Sequence, residues 1–199
     1  MSPPEGRSMV EVVVLGDKNQ PLEAMLGAFA EGVAEGGAEI SVSALDRAMR
    51  REEASRIVSR VRAAAGVVLA AECDGPRATE HLEALRDAAR AMTSEQDLIG
   101  LFGHSVGSSL VALPIGDERA REAVHVLNSQ LYDMGALIVS PGFGARAVNP
   151  WYDNRPGGVD KAGVVAATNA KALHRHGRRL AWVIRLIERE RDGLLALQL

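Results

Sequence analysis

"VEVVVLGDKNQPLEAMLGAFAEG", residues 10–32, decides the fold. Val10–Leu15 is a short apolar run and reads as a strand. It stops at Gly16-Asp17-Lys18-Asn19-Gln20-Pro21, and from Pro21 to about Glu35 the apolar residues return with helical spacing. A strand, a tight loop and a helix in that order make the usual place to hold a phosphate. The first N–H groups of a helix have no partner within it and suit an anion. Yet this loop places Asp17 where a phosphate site uses hydroxyls and glycines.

The same grammar repeats along the chain. Gly36-Gly37 ends the first helix, and Ala38–Ser43 alternates as a strand does. Glu52–Ala64 carries Ile57 and Val61 four apart, a short amphipathic helix. Gly66–Ala71 is a continuous apolar run, the pattern of a strand buried on both faces. Ala78–Met92 is the next helix, with Leu82 and Leu85 on one face. Asp97–Gly103 (DLIGLFG) reads as the fourth strand. Arg119–Met134 is a helix that aligns Val124, Leu127 and Leu131, Gly135 ends it, and Ala136–Ser140 is a fifth strand. A loop rich in Gly, Pro and Asn covers 141–163, and a last helix runs from about Val164 to Glu190. Strands alternating with helices imply a parallel sheet covered on both faces. The expected organisation is a loose tail over residues 1–9 and one domain over 10–199.

Composition narrows the function. Of 199 residues, 47% are apolar and 25% charged, the balance of a globular domain with a full core. A net charge of −3 and an aromatic content of 4% argue against a nucleic-acid partner. No apolar run reaches the ~20 residues that span a bilayer, so no membrane partner is expected. Cys73 is the single cysteine, which excludes an internal disulfide and fits a reducing cytoplasm.

Three stretches carry a family resemblance. They are "LEAMLGAFAEGVAEGGAEISV" (22–42), "LNSQLYDMGALIVSPGFG" (127–144), and "VNPWYDNRPGG" (148–158) with "NAKALHRHGRRLAWVIRLI" (169–187). Together with the order of elements, they resemble flavodoxin-like proteins. Within these, they are similar to NAD(P)H-dependent FMN reductases and Trp-repressor-binding-protein-type quinone oxidoreductases. The resemblance implies a three-layer α/β sandwich with a five-stranded parallel sheet. It also implies FMN and NAD(P)H as cofactors, a quinone or similar flat acceptor, and a multimeric protein.

In such sheets ligands bind at the carboxyl ends of the strands. The loops that matter are then 16–21, 72–77, 103–109 and 141–160. The family's first loop binds the FMN phosphate through hydroxyls and backbone N–H groups. Here Asp17, Lys18, Asn19 and Gln20 stand in its place, followed by Pro21. At ~4 Å and an effective dielectric of ~20, each unit of like charge between Asp17 and a phosphate costs about 4 kcal/mol before screening. Pro21 removes one N–H donor, and Lys18 offsets part of the repulsion if it turns inward. The plain alternative is that Asp17 or Asn19 caps the helix.

The second loop, where the family places backbone and an aromatic against the flavin ring, reads Glu72-Cys73-Asp74-Gly75-Pro76-Arg77. The aromatic is missing. Asp17, Glu72 and Asp74 would converge at the strand ends, a cluster that disfavours a phosphate and favours a cation, an amine or a positively polarised substrate. Surrounding negative charge would raise the Cys73 pKa, so an unreactive thiol is expected. The plain reading of Glu72 and Asp74 is that of solvated loop charges, paired with Arg77.

The third loop contains Gly103-His104-Ser105-Val106-Gly107, a Gly-x-Ser-x-Gly match after the expected strand. In α/β-hydrolases that turn exposes a serine nucleophile. Ser105, then Asp133 or Asp153, then His174 or His176, would satisfy the triad order. Pro114 and Gly116 break the helix that such an elbow needs. Under the flavodoxin-like resemblance, His104, Ser105, Gly107 and Ser108 belong instead to the loop beside the flavin ring.

Candidate catalytic groups are therefore Asp17, Glu72, His104 and Ser105, and no metal is expected. Three functions stay open. One is an FMN-dependent NAD(P)H oxidoreductase with a degenerate phosphate loop. Another is a family member that has lost FMN, either transforming or binding a small molecule in an acidic crevice or acting as a non-catalytic subunit. The third is a serine hydrolase using Ser105. Trp151 and Tyr152 either cover a flat ligand or anchor a subunit contact. The basic stretch His174, Arg175, His176, Arg178 and Arg179 reads as a solvated helix face, with an NAD(P)H phosphate site as the alternative. The apolar end "GLLALQL" points to a homo-oligomer.

Overall fold

The computed structural model describes residues 8–16, 20–45, 50–72, 75–92, 105–112, 118–139 and 167–196. Ten elements follow one another: β1 (Ser8–Leu15), α1 (Gln20–Glu35), β2 (Ala38–Leu45), α2 (Arg51–Ala63), β3 (Gly66–Ala71), α3 (Gly75–Met92), β4 (Val106–Val111), α4 (Glu118–Asp133), β5 (Leu137–Ile138) and α5 (Ala167–Ala196). The strands form one sheet in the order β2-β1-β3-β4-β5. Every neighbouring pair is parallel. This is the flavodoxin-like α/β sandwich.

Strand alternation divides the core in two. Val13 and Leu15 of β1 and Val67, Leu69 and Ala71 of β3 face Ile57 and Val61 of α2, Leu82 and Leu85 of α3, and Leu127 and Leu131 of α4. Val10, Val12 and Val14 of β1 and Val68 and Ala70 of β3 face Phe29 and Val33 of α1 and Leu173, Leu180 and Ile184 of α5. Helical spacing marks Ile57, Val61, Leu82, Leu85, Leu127 and Leu131 for the interior, and all six are buried there.

Glycines bring α1 and α5 unusually close. A Cβ on Gly32 would lie 1.9 Å from the His174 carbonyl oxygen, and one on Gly177 would lie 2.2 Å from that of Phe29. One on Gly36 would meet the Ala181 Cβ at 2.5 Å. Gly32 and Gly36 are four residues apart and share one face of α1. The two helices therefore touch through backbone, which only residues without a side chain permit.

The fourth strand corrects the sequence reading. It is Val106–Val111 (VGSSLV), while the expected strand over 97–103 lies outside the described residues. VGSSLV looks unlike a core strand, yet all six residues are buried. Gly107 is accommodated because its strand lies against Ala136, whose Cβ would be 2.9 Å from a Gly107 Cβ. The serines are accommodated because their hydroxyls are used. Ser108 donates to the Val139 carbonyl at 3.1 Å and Ser109 to Asn128 Oδ1 at 2.9 Å. A buried hydroxyl with a partner carries no desolvation penalty of the full size.

A second polar group hides in β1. Glu11 is 1% exposed and accepts a hydrogen bond from the Ser43 hydroxyl on β2, to which Arg60 of α2 donates at 3.3 Å. The chain of donors solvates the carboxylate from within the protein.

Candidate functional site

Connections leave β1 toward β2 on one side and β3 toward β4 on the other, so the order of strands reverses between β1 and β3. In open parallel sheets, ligands bind in the crevice at the carboxyl ends of the strands where the order reverses, which here are the ends of β1 and β3. Gly16 ends β1 with φ +85°, a conformation suited to glycine, and its N–H donates to the Leu45 carbonyl at 2.9 Å. Glu72 follows β3 directly and is half-buried. Burial pushes its carboxyl above the usual carboxylate pKa. Ala112 follows β4 and is anchored to the Ala71 carbonyl at 2.8 Å.

One residue at this end escaped sequence reading. His81, in the second turn of α3, lies with Nε2 3.1 Å from where a Gly16 Cβ would be. Its Nδ1 is buried and has no hydrogen-bond partner among the described residues. No motif or spacing in the sequence flags a histidine there. Only the placement of α3 against the end of β1 brings it to the loop.

The expected site residues fare unequally. Asp17, Lys18, Asn19, Cys73, Asp74 and His104 lie outside the described residues, as do Trp151 and Tyr152. Gln20 and Gly75 are the first residues of α1 and α3, and Arg77 is exposed in the first turn of α3. Ser105, Gly107 and Ser108 do not reach the crevice. Ser105 precedes β4 at its amino end, is buried, and donates to the Ala64 carbonyl at 3.0 Å. Gly107 and Ser108 lie inside the strand. The chain leaves β4 toward the ligand end at Ala112, and not within the expected 103–109.

The same shift removes the hydrolase reading. Ser105 leads directly into β4, whereas the serine of a nucleophile elbow follows a strand and enters a helix. His176 meets Ser108 instead, with Nε2 2.7 Å from the hydroxyl. Since Ser108 donates to Val139, the imidazole donates from Nε2 and leaves Nδ1 as a buried acceptor with no partner among the described residues. The Phe29 ring lies 5.6 Å away at a 50° tilt. Burial, reinforced by the Arg179 charge, pulls the His176 pKa down to about 4. This histidine is a neutral core residue.

The basic stretch on α5 therefore splits. His176 faces the core, while His174 Nε2 and Arg178 Nη1 each lie 2.9 Å from the Glu35 carboxylate. The hydrogen bond from Arg178 holds the Glu35 carboxyl below its ordinary pKa. Arg175 and Arg179 are exposed and form no ion pair among the described residues. Both α1 and α5 start at the crevice end of the sheet. Glu35, as the last of the 16 residues of α1, is therefore roughly 22 Å from the crevice. That distance separates the basic face from a nucleotide held at the strand ends. No helix among the described residues is long and apolar enough to cross a membrane, and none of their side chains form a cluster able to hold a metal ion.

These features define the fold class, and solved structures give it relatives. The chain is similar to a flavodoxin, WrbA-like protein from Agrobacterium tumefaciens, with a TM-score of 0.60 at 14% identity over 91% of this chain and 99% of that one. It is also similar to FerB, a flavoenzyme NAD(P)H:(acceptor) oxidoreductase from Paracoccus denitrificans (TM-score 0.58, 15% identity, 89% and 97% covered). An oxidoreductase from Corynebacterium diphtheriae matches at TM-score 0.55 and 18% identity, over 90% of this chain and 98% of that one. At these identities the likeness establishes the flavodoxin-like fold. No family model matches the sequence, and no curated protein matches it by sequence.

The described crevice residues are compatible with a flavin. Gly16 keeps the backbone bare at the end of β1, and α3 begins with no acidic side chain in its first turn. The His81 Nδ1, without a partner among the described residues, is a buried polar atom beside Gly16 at the end of β1.

Proposed function

We propose that this chain is an FMN-dependent NAD(P)H oxidoreductase acting on a quinone or similar flat acceptor, with a degenerate phosphate loop. One observation carries the reading. The parallel order β2-β1-β3-β4-β5 opens its crevice between β1 and β3, where sheets of this order hold FMN. The likeness to a flavoenzyme named for NAD(P)H and an acceptor supports the reaction class. FMN, when bound, supplies hydride transfer, and the protein supplies orientation and electrostatics.

Asp17, Lys18, Asn19 and Gln20 would meet the phosphate end of the cofactor. Cys73, Asp74, Gly75 and Arg77 would border its ring, with Glu72 at the base of that loop. A homo-oligomer in the cytoplasm belongs to the same proposal. Exposed Tyr132 and Leu137 beside the two-residue edge strand β5, and the single cysteine, support it.

Titration with FMN, followed by quenching of flavin fluorescence, tests the reading. Weak binding is expected, with Kd well above about a micromolar, because Asp17 opposes the phosphate. Asp17→Ser is expected to tighten it about tenfold or more. Absence of binding in both proteins at millimolar FMN would sink the flavin reading. It would favour the second reading, acid–base chemistry on a small molecule without FMN. The upward shift of the Glu72 pKa by burial is the observation behind that alternative, since a desolvated carboxylate accepts a proton more readily than a free one.

A further inference from the structure

The seam between α1 and α5 carries a feature that the crevice does not use. Two shallow hollows, of about 460 and 480 Å³, run end to end along it and share Arg175 and Arg178. Lys171 lines the first, and Arg179, Trp182 and Arg185 line the second. Five cations thus face two carboxylates, Glu31 and Glu35. The whole chain has a net charge of −3, so positive charge is concentrated on this face against the overall balance.

The cations differ in their duties. Arg178 is held by Glu35, and Arg185 donates to the Gly36 carbonyl at 3.4 Å, closing the end of α1. Arg175 and Arg179 have neither task, and lie one helical turn apart. Trp182 sits one turn further along and is 61% exposed, and Leu186 beyond it is 44% exposed. A tryptophan left in water among arginines is the composition of an interface centre, because these two residue types dominate binding energy where partners meet.

We propose that this groove binds an acidic peptide segment of a partner protein, carrying an apolar side chain that packs on Trp182. Length, charge and shape agree on that occupant. From Lys171 to Arg185 the groove is roughly 21 Å long, the span of about six residues of extended chain. Carboxylates of such a segment meet Arg175 and Arg179, whose planar guanidinium groups bind them in pairs of parallel hydrogen bonds. A single-stranded nucleic acid is the lesser fit, since it stacks successive bases on successive aromatics and this groove offers one among the described residues.

The probe is a fluorescein-labelled ten-residue peptide of Glu and Asp with one central Leu, titrated with the full chain and read by anisotropy. Saturable binding at low ionic strength is expected, weakened about tenfold or more on raising salt to physiological strength. Arg175→Glu with Arg179→Glu is expected to abolish it, and Trp182→Ala to weaken it about tenfold. Arg175→Gln serves as the milder variant should the double reversal unfold. These residues lie about 20 Å from the crevice, so FMN affinity is expected to stay unchanged in every variant, whichever way the cofactor reading falls. No anisotropy change at low salt, or equal binding by the Arg175→Glu, Arg179→Glu protein, overturns the proposal. Tighter binding of a labelled oligothymidylate than of the peptide overturns it in favour of a nucleic-acid surface.

Discussion

On one face of the sheet, α1 and α5 meet backbone to backbone through Gly32, Gly36 and Gly177. On the other, α2, α3 and α4 meet through Ile57, Leu82, Leu85, Leu127 and Leu131. Both layers bury large apolar surfaces, yet they specify position by opposite means. A layer of leucines fixes its spacing by side-chain volume and can repack around a modest change. A layer of glycines fixes its spacing by the absence of volume, and the first added carbon collides with a carbonyl that cannot move alone.

The sharpest way to break this contrast is Gly32→Ala. The new Cβ would fall 1.9 Å from the His174 carbonyl oxygen, so α5 must shift away and loosen its grip on the sheet. A loss of about 3–4 kcal/mol is expected, at the upper end for overpacking, read by urea denaturation. A loss under about 1 kcal/mol would show that the two helices slide freely.

Acid probes the same layer from inside. His176 has its pKa lowered to about 4, below the 6.5 of the unfolded chain. Between these values the unfolded state binds the proton and the folded state does not, so stability is complete above pH 6.5 and falls as pH drops toward 4. About 2–3 kcal/mol is expected to be lost from this group between pH 7 and 4. His176→Gln removes the titrating group. Its denaturation midpoints are expected to fall less steeply with acid than those of the parent, and parallel slopes would contradict the assignment.

The smallest effect sharpens the comparison most. Gly27 is on the same helix as Gly32, but nothing lies within 4 Å of its missing Cβ. Gly27→Ala is expected to stabilise the protein by about 0.5–1 kcal/mol, through helix propensity alone. One substitution type on one helix would then change sign over five positions.

The order of elements was legible because each strand and helix carries its period in its own apolar residues. Leu82 with Leu85, and Val124 with Leu127 and Leu131, needed no partner to reveal which side faces inward. β4 was not legible for the opposite reason. Gly107 is tolerated only beside Ala136, and Ser108 and Ser109 only because Val139 and Asn128 accept from them. Those partners come from α4 and the β5 region, so no window around Val106 contains the information. The more apolar DLIGLFG just upstream therefore drew the strand assignment. That assignment makes Ser105, Gly107 and Ser108 loop residues, whereas all three are buried in or beside β4. His81 was missed on the same ground, since its neighbour Gly16 is 65 residues away in the chain. The Gly-x-x-x-Gly spacing of Gly32 and Gly36 was present in the sequence, and only the 145 residues separating Gly32 from Gly177 kept its meaning hidden.

That separation has a consequence during synthesis. α1 is shaped for a partner that leaves the ribosome 145 residues after it, roughly 7–30 s later at ordinary elongation rates. Until α5 arrives, Phe29, Val33 and the inward valines of β1 have a sheet behind them and no cover in front. A leucine-faced helix could borrow a temporary neighbour, but a glycine-faced one offers other helices little to hold. The nascent chain therefore carries this apolar face open until α5 is made.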